Sequence, residues 1–324
     1  MNIKRLIPNG LKRTVFRIRN NGTATILCYH GIYSAPLPFP IWIQLSASLF
    51  EAQLQMLSRH YKCISLQALI DQLKQGKIKG NPVVVTFDDG FASNYHLAFP
   101  LLKKYEVPAT IYVTANLVGT SEYTWSDRIA AILITTNKAT IEFSGSVLPI
   151  GDQQEKAIAY RKILNGLKSK HPVEINTWIG AEMNEHELEK EQMVRPDLFA
   201  VFSHLTWPHI DEMLASGLVN IGSHGLNHSI LARLGIEEAS KEIIESKKMI
   251  ESKTGKPVTD FAYPNGTEVD FGSEHRALLQ QHGYCSVAVS IAEHIGRDSD
   301  PMQLPRICIG EGVSVEGLEH AIAH

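Results

Sequence analysis

The sequence predicts a parallel α/β architecture, either an open sheet or a barrel, on three observations. Short apolar strands alternate with amphipathic helices over most of the length. Several strands end on polar side chains: His30 after "TILCY", Asp88 and Asp89 after "VVVTF", His224 and His228 after "LVNIGS", and Tyr263 to Gly266 after "DFA". Ligands of parallel sheets sit beyond the carboxyl ends of the strands, so in a barrel four such ends converge on one mouth.

Taken in order, "TATILCYHGI" is a buried strand ending near Tyr29 and His30, followed by the polar-poor loop "YSAPLPFPIWI". "SLFEAQLQMLSRH" is a helix with Ser48 and Glu51 in capping-box spacing and Phe50, Leu54 and Leu57 on one face. "YKCIS" is a short strand, and "LQALIDQLKQG" a helix closed by Gly76. "PVVVTF", a helix over 94–105, and "ATIYVT" continue the alternation. From about residue 122 to 204 the rhythm breaks: two helical stretches flank a hairpin, "ATIEFSGSVLPI", as in a partly helical insertion. It resumes with "TWPHIDEMLASG", "LVNIGS" and the helix "IEEASKEIIESKKMIESKTG". The strands "VTDFAYP", "YCSVAVS" and "LPRICI" follow, and a closing helix is capped by Ser314.

At 324 residues the chain can hold one large α/β domain with an insertion. A net charge of −3 gives no sign of a nucleic-acid partner. The four cysteines, Cys28, Cys63, Cys285 and Cys308, are far apart, and the expectation is buried free thiols in a reducing compartment. Residues 1–22 are set apart as a basic segment with Lys4, Arg5, Lys12, Arg13, Arg17 and Arg19 and no acid. It lacks the apolar run of a secretion signal. Ile3, Ile7, Leu11, Val15 and Ile18 could share a helical face against an anionic membrane surface, although Pro8 and Gly10 oppose the helix. The expected location is the cytoplasm, peripheral to the inner face of the membrane through residues 1–20.

"SHGLNH" places His224 and His228 four apart, a spacing that lets two imidazoles meet one metal ion. Two His, a carboxylate and an open position make a usual catalytic zinc site. "DDG" can supply the carboxylate, with one Asp binding metal and the other free as a base. The competing reading is that Asp88 or Asp89 caps the next helix.

The order "TFDDG", "SHGLNH", "FAYPNG", with the flanking phrases "ILCYHGI", "VPATIYVT", "TWSDRI" and "LPRI", resembles the polysaccharide deacetylases of the NodB homology type (carbohydrate esterase family 4) over residues 24–310. The resemblance implies a distorted (β/α)7-type barrel spanning 23–324, with the insertion at about 122–204. It implies a divalent metal, zinc in most members, held by Asp89, His224 and His228, with Asp88 as base and a backbone N–H near Asn265 for the oxyanion. The substrate implied is an N-acetylated sugar of a cell-surface polysaccharide or of its lipid-linked precursor. Two departures stand out. The Arg often found before the Pro of the third motif is absent, which makes Arg306 the candidate to orient Asp88. The late His that supplies the acid is absent too, which makes His30 of "CYHGI" the candidate acid; His320 and His324 are expected to be solvated. Two alternatives stay open: an inactive sugar-binding relative, and a hydrolase of formyl or other C–N amide bonds on a sugar.

Overall fold

The computed structural model describes residues 22–188 and 200–323. Nearly all of the basic segment (1–21), His324, and residues 189–199 within the expected insertion lie outside the described residues. Six parallel strands lie side by side: β1 (Thr25–Tyr29), β4 (Val83–Phe87), β5 (Ala109–Val113), β8 (Val219–Ser223), β9 (Asp260–Ala262) and β10 (Ser286–Val289). The stretch 304–308 joins both edges. Its first part, β11 (Leu304–Pro305), pairs with β10, and its second, β12 (Ile307–Cys308), pairs with β1. Taken as one strand interrupted at Arg306, it makes a nearly closed seven-stranded parallel barrel. The thinnest seam lies between β8 and β9, which share the single pair Ser223↔Phe261.

Strand alternation sends one set of side chains outward and one inward. Leu27, Val85, Phe87, Ile111 and Val113 join the core under the outer helices. Ile26, Val84, Tyr112, Ala262, Ala288 and Leu304 fill the lower barrel. There they meet Leu66, Leu69, Ile70 and Leu73 of α2 (Leu66–Lys74), which plugs that end. Each fully buried Ile, Val or Leu among them contributes about 1.5–3 kcal/mol by leaving water.

Local details differ from the sequence expectation where the approach of the chain decides them. Helix α1 (Ala47–His60) is capped by Ser46 and not by Ser48: Ser46 ends the short strand β3 (Gln44–Ser46), which pairs with β2 (Gly31–Tyr33), and its Oγ accepts from Leu49 N–H. Glu51 is thereby freed to pair with Lys104 at 2.6 Å. "YKCIS" is reduced to a single bridge between Cys63 and Val83. The helix expected over 94–105 opens with a wide π turn, Asn94–Ala98, before α3 (Phe99–Tyr105), with Pro100 in the first turn of α3 lacking an N–H to donate. Cys28 is buried, Cys63 and Cys308 are half-buried and Cys285 is exposed, so the expectation of four buried thiols fails at Cys285.

Between β5 and β8 the chain builds a second core. Helix α4 (Trp125–Thr135) is followed by the hairpin of β6 (Thr140–Phe143) and β7 (Ser146–Pro149). Ser144 and Gly145 both take left-handed backbone at its tip, the tight turn that suits strand twist. Helices α5 (Gln153–Leu167) and α6 (Pro172–Glu185) complete it. Ile129, Ile132, Phe143, Tyr160, Ile163 and Ile179 pack together, and Phe39 and Ile41 of the polar-poor loop cross over to cover them.

Candidate active site and metal centre

At the end of β4 the Asp88 N–H still pairs with Tyr29 O at 2.9 Å. Asp89 (φ 71°) and Gly90 (φ 76°) then turn left-handed, so alternation stops and both carboxylates stay at the mouth, buried. A Cβ on Gly90 would come within 2.9 Å of Val113, so glycine is needed twice over, for its φ and for the close approach. Neither Asp caps a helix: the next helical turn begins at Asn94 with no side-chain cap.

Asp89, His224 and His228 meet at one buried point. Asp89 Oδ1 lies 3.4 Å from His224 Nε2 and 3.1 Å from His228 Nε2, yet that oxygen makes no hydrogen bond. The three atoms face a common centre instead of bonding one another. Their spacing is close to the about 3.3 Å that separates donors around a tetrahedral ion with bonds of about 2.0–2.1 Å. His224 Nδ1 is 2.8 Å from Ala262 O, which only accepts, so Nδ1 carries the proton and Nε2 presents its lone pair outward. Burial resists a charge on His224, but Asp88 and Asp89 together raise its pKa: the point attracts positive charge. The residues fit a divalent cation. The imidazoles reach it from a loop, with Gly225 (φ 81°) and His228 (φ 60°) left-handed, and not from one helical turn.

Asp88 has a different partner. Arg306, fully buried inside the barrel, forks onto it with Nη1 and Nη2 each 2.7 Å from a carboxylate oxygen. Burial pushes this carboxyl up, but Arg306, helped by His224, outweighs it and holds it at about 2. Nη1 also donates to Thr86 Oγ1 at 3.2 Å, and the Cys28 thiol donates to Asp88 Oδ2 at 3.4 Å.

These groups open onto a cavity of about 280 Å³ that His30, Trp42, Asn265 and Cys308 also line. The His30 ring sits edge-on to Trp42 at 5.9 Å, its Nδ1 is buried without a partner, and one of its nitrogens lies within 4.8 Å of an Asp88 oxygen. His30 is therefore close to the base. Asn265 (φ 60°) has an unpartnered Nδ2. Left-handed backbone at Asp89, His228 and Asn265 is strain concentrated in one site. The other wall is Trp125, Ser126, Tyr160, Leu164 and Lys168, all from the segment that builds the second core.

The sequence reading missed two buried groups. Asp127, beside the quoted "TWSDRI" tryptophan, accepts from Thr124 Oγ1 at 2.7 Å, and burial, with the Asp89 charge, pushes it up to about 7. His204 stacks on Phe91 at 5.4 Å, and burial pushes it down to about 4. The phrase around Asp127 was a usable signal; nothing in the spacing marks His204.

Comparison with known proteins accords with this arrangement. Over 87 residues the chain is 34% identical to a Staphylococcus aureus protein named poly-beta-1,6-N-acetyl-D-glucosamine N-deacetylase, a match spanning 26% of this chain and 30% of that relative. Among solved structures, IcaB from Ammonifex degensii superposes with a TM-score of 0.61 at 19% identity, covering 94% of this chain and 98% of that one. The Streptococcus pyogenes deacetylase PplD, in complex with acetate, gives 0.60 at 18% identity, covering 94% and 99%. At these identities the likeness is one of fold. The sequence profile described as polysaccharide deacetylase matches residues 75–143 and 151–287, more than half the chain and with both aspartates and both site histidines inside it, and on that ground the chain belongs to the polysaccharide deacetylase family.

Proposed function

We propose that this chain is a metal-dependent hydrolase that removes the N-acetyl group from an amino sugar of a cell-surface polysaccharide or its lipid-linked precursor, with zinc as the metal. One observation carries the reading: two adjacent carboxylates with separate partners, Asp89 converging with His224 and His228, Asp88 clamped by Arg306. A sugar-binding module has no use for a second carboxylate kept ionised beside a cation site. The name of the S. aureus relative supports an N-acetylglucosamine polymer as the substrate class.

In this reading Asp89, His224 and His228 hold the cation, which when bound polarises the acetyl carbonyl and acidifies water. Asp88 takes the proton of the attacking water. Arg306 fixes the direction in which the Asp88 oxygens point. The Asn265 turn offers a backbone N–H to the oxygen that gains charge. The sugar nitrogen leaves only when protonated, and His30 is the proposed donor. A turnover leaves Asp88 one proton richer and His30 one poorer. Their separation within 4.8 Å suits return of that proton through one water. Location in the cytoplasm, with the basic segment 1–20 against the anionic inner membrane surface, is part of the proposal and rests on composition alone.

The test is acetate release by zinc-loaded protein from β-1,6-linked N-acetylglucosamine oligomers. Acetate release from these and not from O-acetylated analogues is expected, with no formate released from N-formylated analogues. Release from none of them, by a protein that binds one zinc, overturns the reading in favour of binding alone.

A further inference from the structure

We propose that Cys28 and Cys308 form a reversible thiol–disulfide pair that shuts the site down under oxidation. The two are direct partners in register on adjacent parallel strands, β1 and β12. Both face inward at the mouth: Cys28 reaches Asp88 Oδ2, and Cys308 lines the same cavity as Asp88. Neighbouring strands run about 4.8 Å apart, inside the Cα separations of about 4.4–6.8 Å that a disulfide spans. Parallel neighbours hold their Cβ atoms slightly farther apart than a relaxed disulfide prefers, and a strained bond is more easily reduced, as a reversible one must be.

The surroundings divide the labour between the sulfurs. Cys308 is half-buried and open to the cavity, while Cys28 is sealed. The neighbouring Cys28 thiol, with the Arg306 charge adding to it, outweighs burial and brings Cys308 down to about 6; burial keeps Cys28 a thiol. With hydrogen peroxide as oxidant, the Cys308 thiolate attacks one peroxide oxygen. The other oxygen leaves as hydroxide and takes up a proton to become water, and Cys308 becomes a sulfenic acid. The Cys28 sulfur then attacks the Cys308 sulfur, and the sulfenic hydroxyl departs with the Cys28 proton as a second water. The bond removes the thiol hydrogen bond from Asp88 Oδ2 and draws the closing strand toward β1 on the Arg306 side of the base. The bond itself is independent of the deacetylase reading; its effect on rate rests on that reading.

The experiment uses the zinc-loaded full chain in a Cys285→Ser background, which removes the exposed thiol. After brief peroxide treatment the expected result is an intact mass lower by two hydrogens, with a peptide joining Cys28 to Cys308. Acetate release should fall about tenfold, the rate equivalent of one hydrogen bond to a charged group. Dithiothreitol should restore both. Cys28→Ser and Cys308→Ser variants, each compared with its own untreated rate, should escape the loss. Failure to find the linked peptide in protein whose circular dichroism is unchanged overturns the pair, and a linked peptide with undiminished rate overturns the switch. If untreated protein releases no acetate, the deacetylase reading falls, and the pair stands or falls on mass alone.

Discussion

The two walls of the cavity are built on opposite principles. The barrel wall carries Asp88, Asp89, His224, His228 and Asn265 on strand ends, three of them in left-handed backbone. The insertion wall presents Trp125, Ser126, Tyr160, Leu164 and Lys168 from ordinary helices, backed by a separate apolar core. The first wall gives up local stability to aim atoms; the second gives up nothing and supplies shape. Reaction chemistry should therefore fail abruptly when the barrel wall is changed, while the insertion wall should change affinity by degrees.

The largest effect is expected from His224→Ala/His228→Ala: no bound zinc and no acetate release above background. Stoichiometric zinc in that variant, by metal analysis after chelator stripping and reloading, would place the metal elsewhere. Asp88→Asn should keep its zinc and lose about 10²- to 10⁴-fold in rate, the range of general-base catalysis. Zinc loss there means the roles of the two aspartates are exchanged. His30→Ala should lower kcat by about 10²-fold with metal and substrate binding retained. A raised KM with kcat intact would make His30 a sugar contact only.

A fourth expectation concerns acid. The Asp88 carboxyl is depressed from 3.8 to about 2, so its ion pair with Arg306 stabilises the fold fully above pH 3.8 and is lost as pH falls toward 2. Metal-free wild type should therefore lose more stability than Asp88→Asn between those values, measured by denaturant midpoints. Parallel losses would show that the fork contributes nothing to the fold. The smallest effect belongs to the insertion wall: Trp125→Ala should raise KM by about tenfold or less and leave kcat nearly unchanged. A kcat collapse there would erase the division between the two walls.

The same division governs what could be read from sequence. Short motifs at strand ends carry the barrel wall because each is a local demand: a strand, a turn that only certain residues allow, and a polar group at a fixed offset. "TFDDG" and "SHGLNH" are of this kind, and the strand–helix alternation that places them is equally local. The hairpin of the insertion was legible from "SG" for the same reason. The covering of the insertion by Phe39 and Ile41, the stacking of His204 on Phe91 and the pairing of Cys28 with Cys308 are decided by tertiary packing between distant segments. Ser46 took the cap expected of Ser48 because β3 delivers the chain to the helix two residues earlier than helix periodicity alone suggests.

The strand 304–308 is both the seal of the barrel and the carrier of Arg306 and Cys308. Its partner β1 is made before the other barrel strands, and it is made after them. Without that strand, β1 and β10 lack a pairing partner at the closing seam and Asp88 lacks its counter-charge. The loop entropy of joining the ends rises only slowly with loop length, so the delay is one of timing more than of energy. Until that strand docks, a nascent chain can expose sheet edges to its neighbours but cannot complete the clamp on Asp88, so the clamp cannot form before the barrel closes.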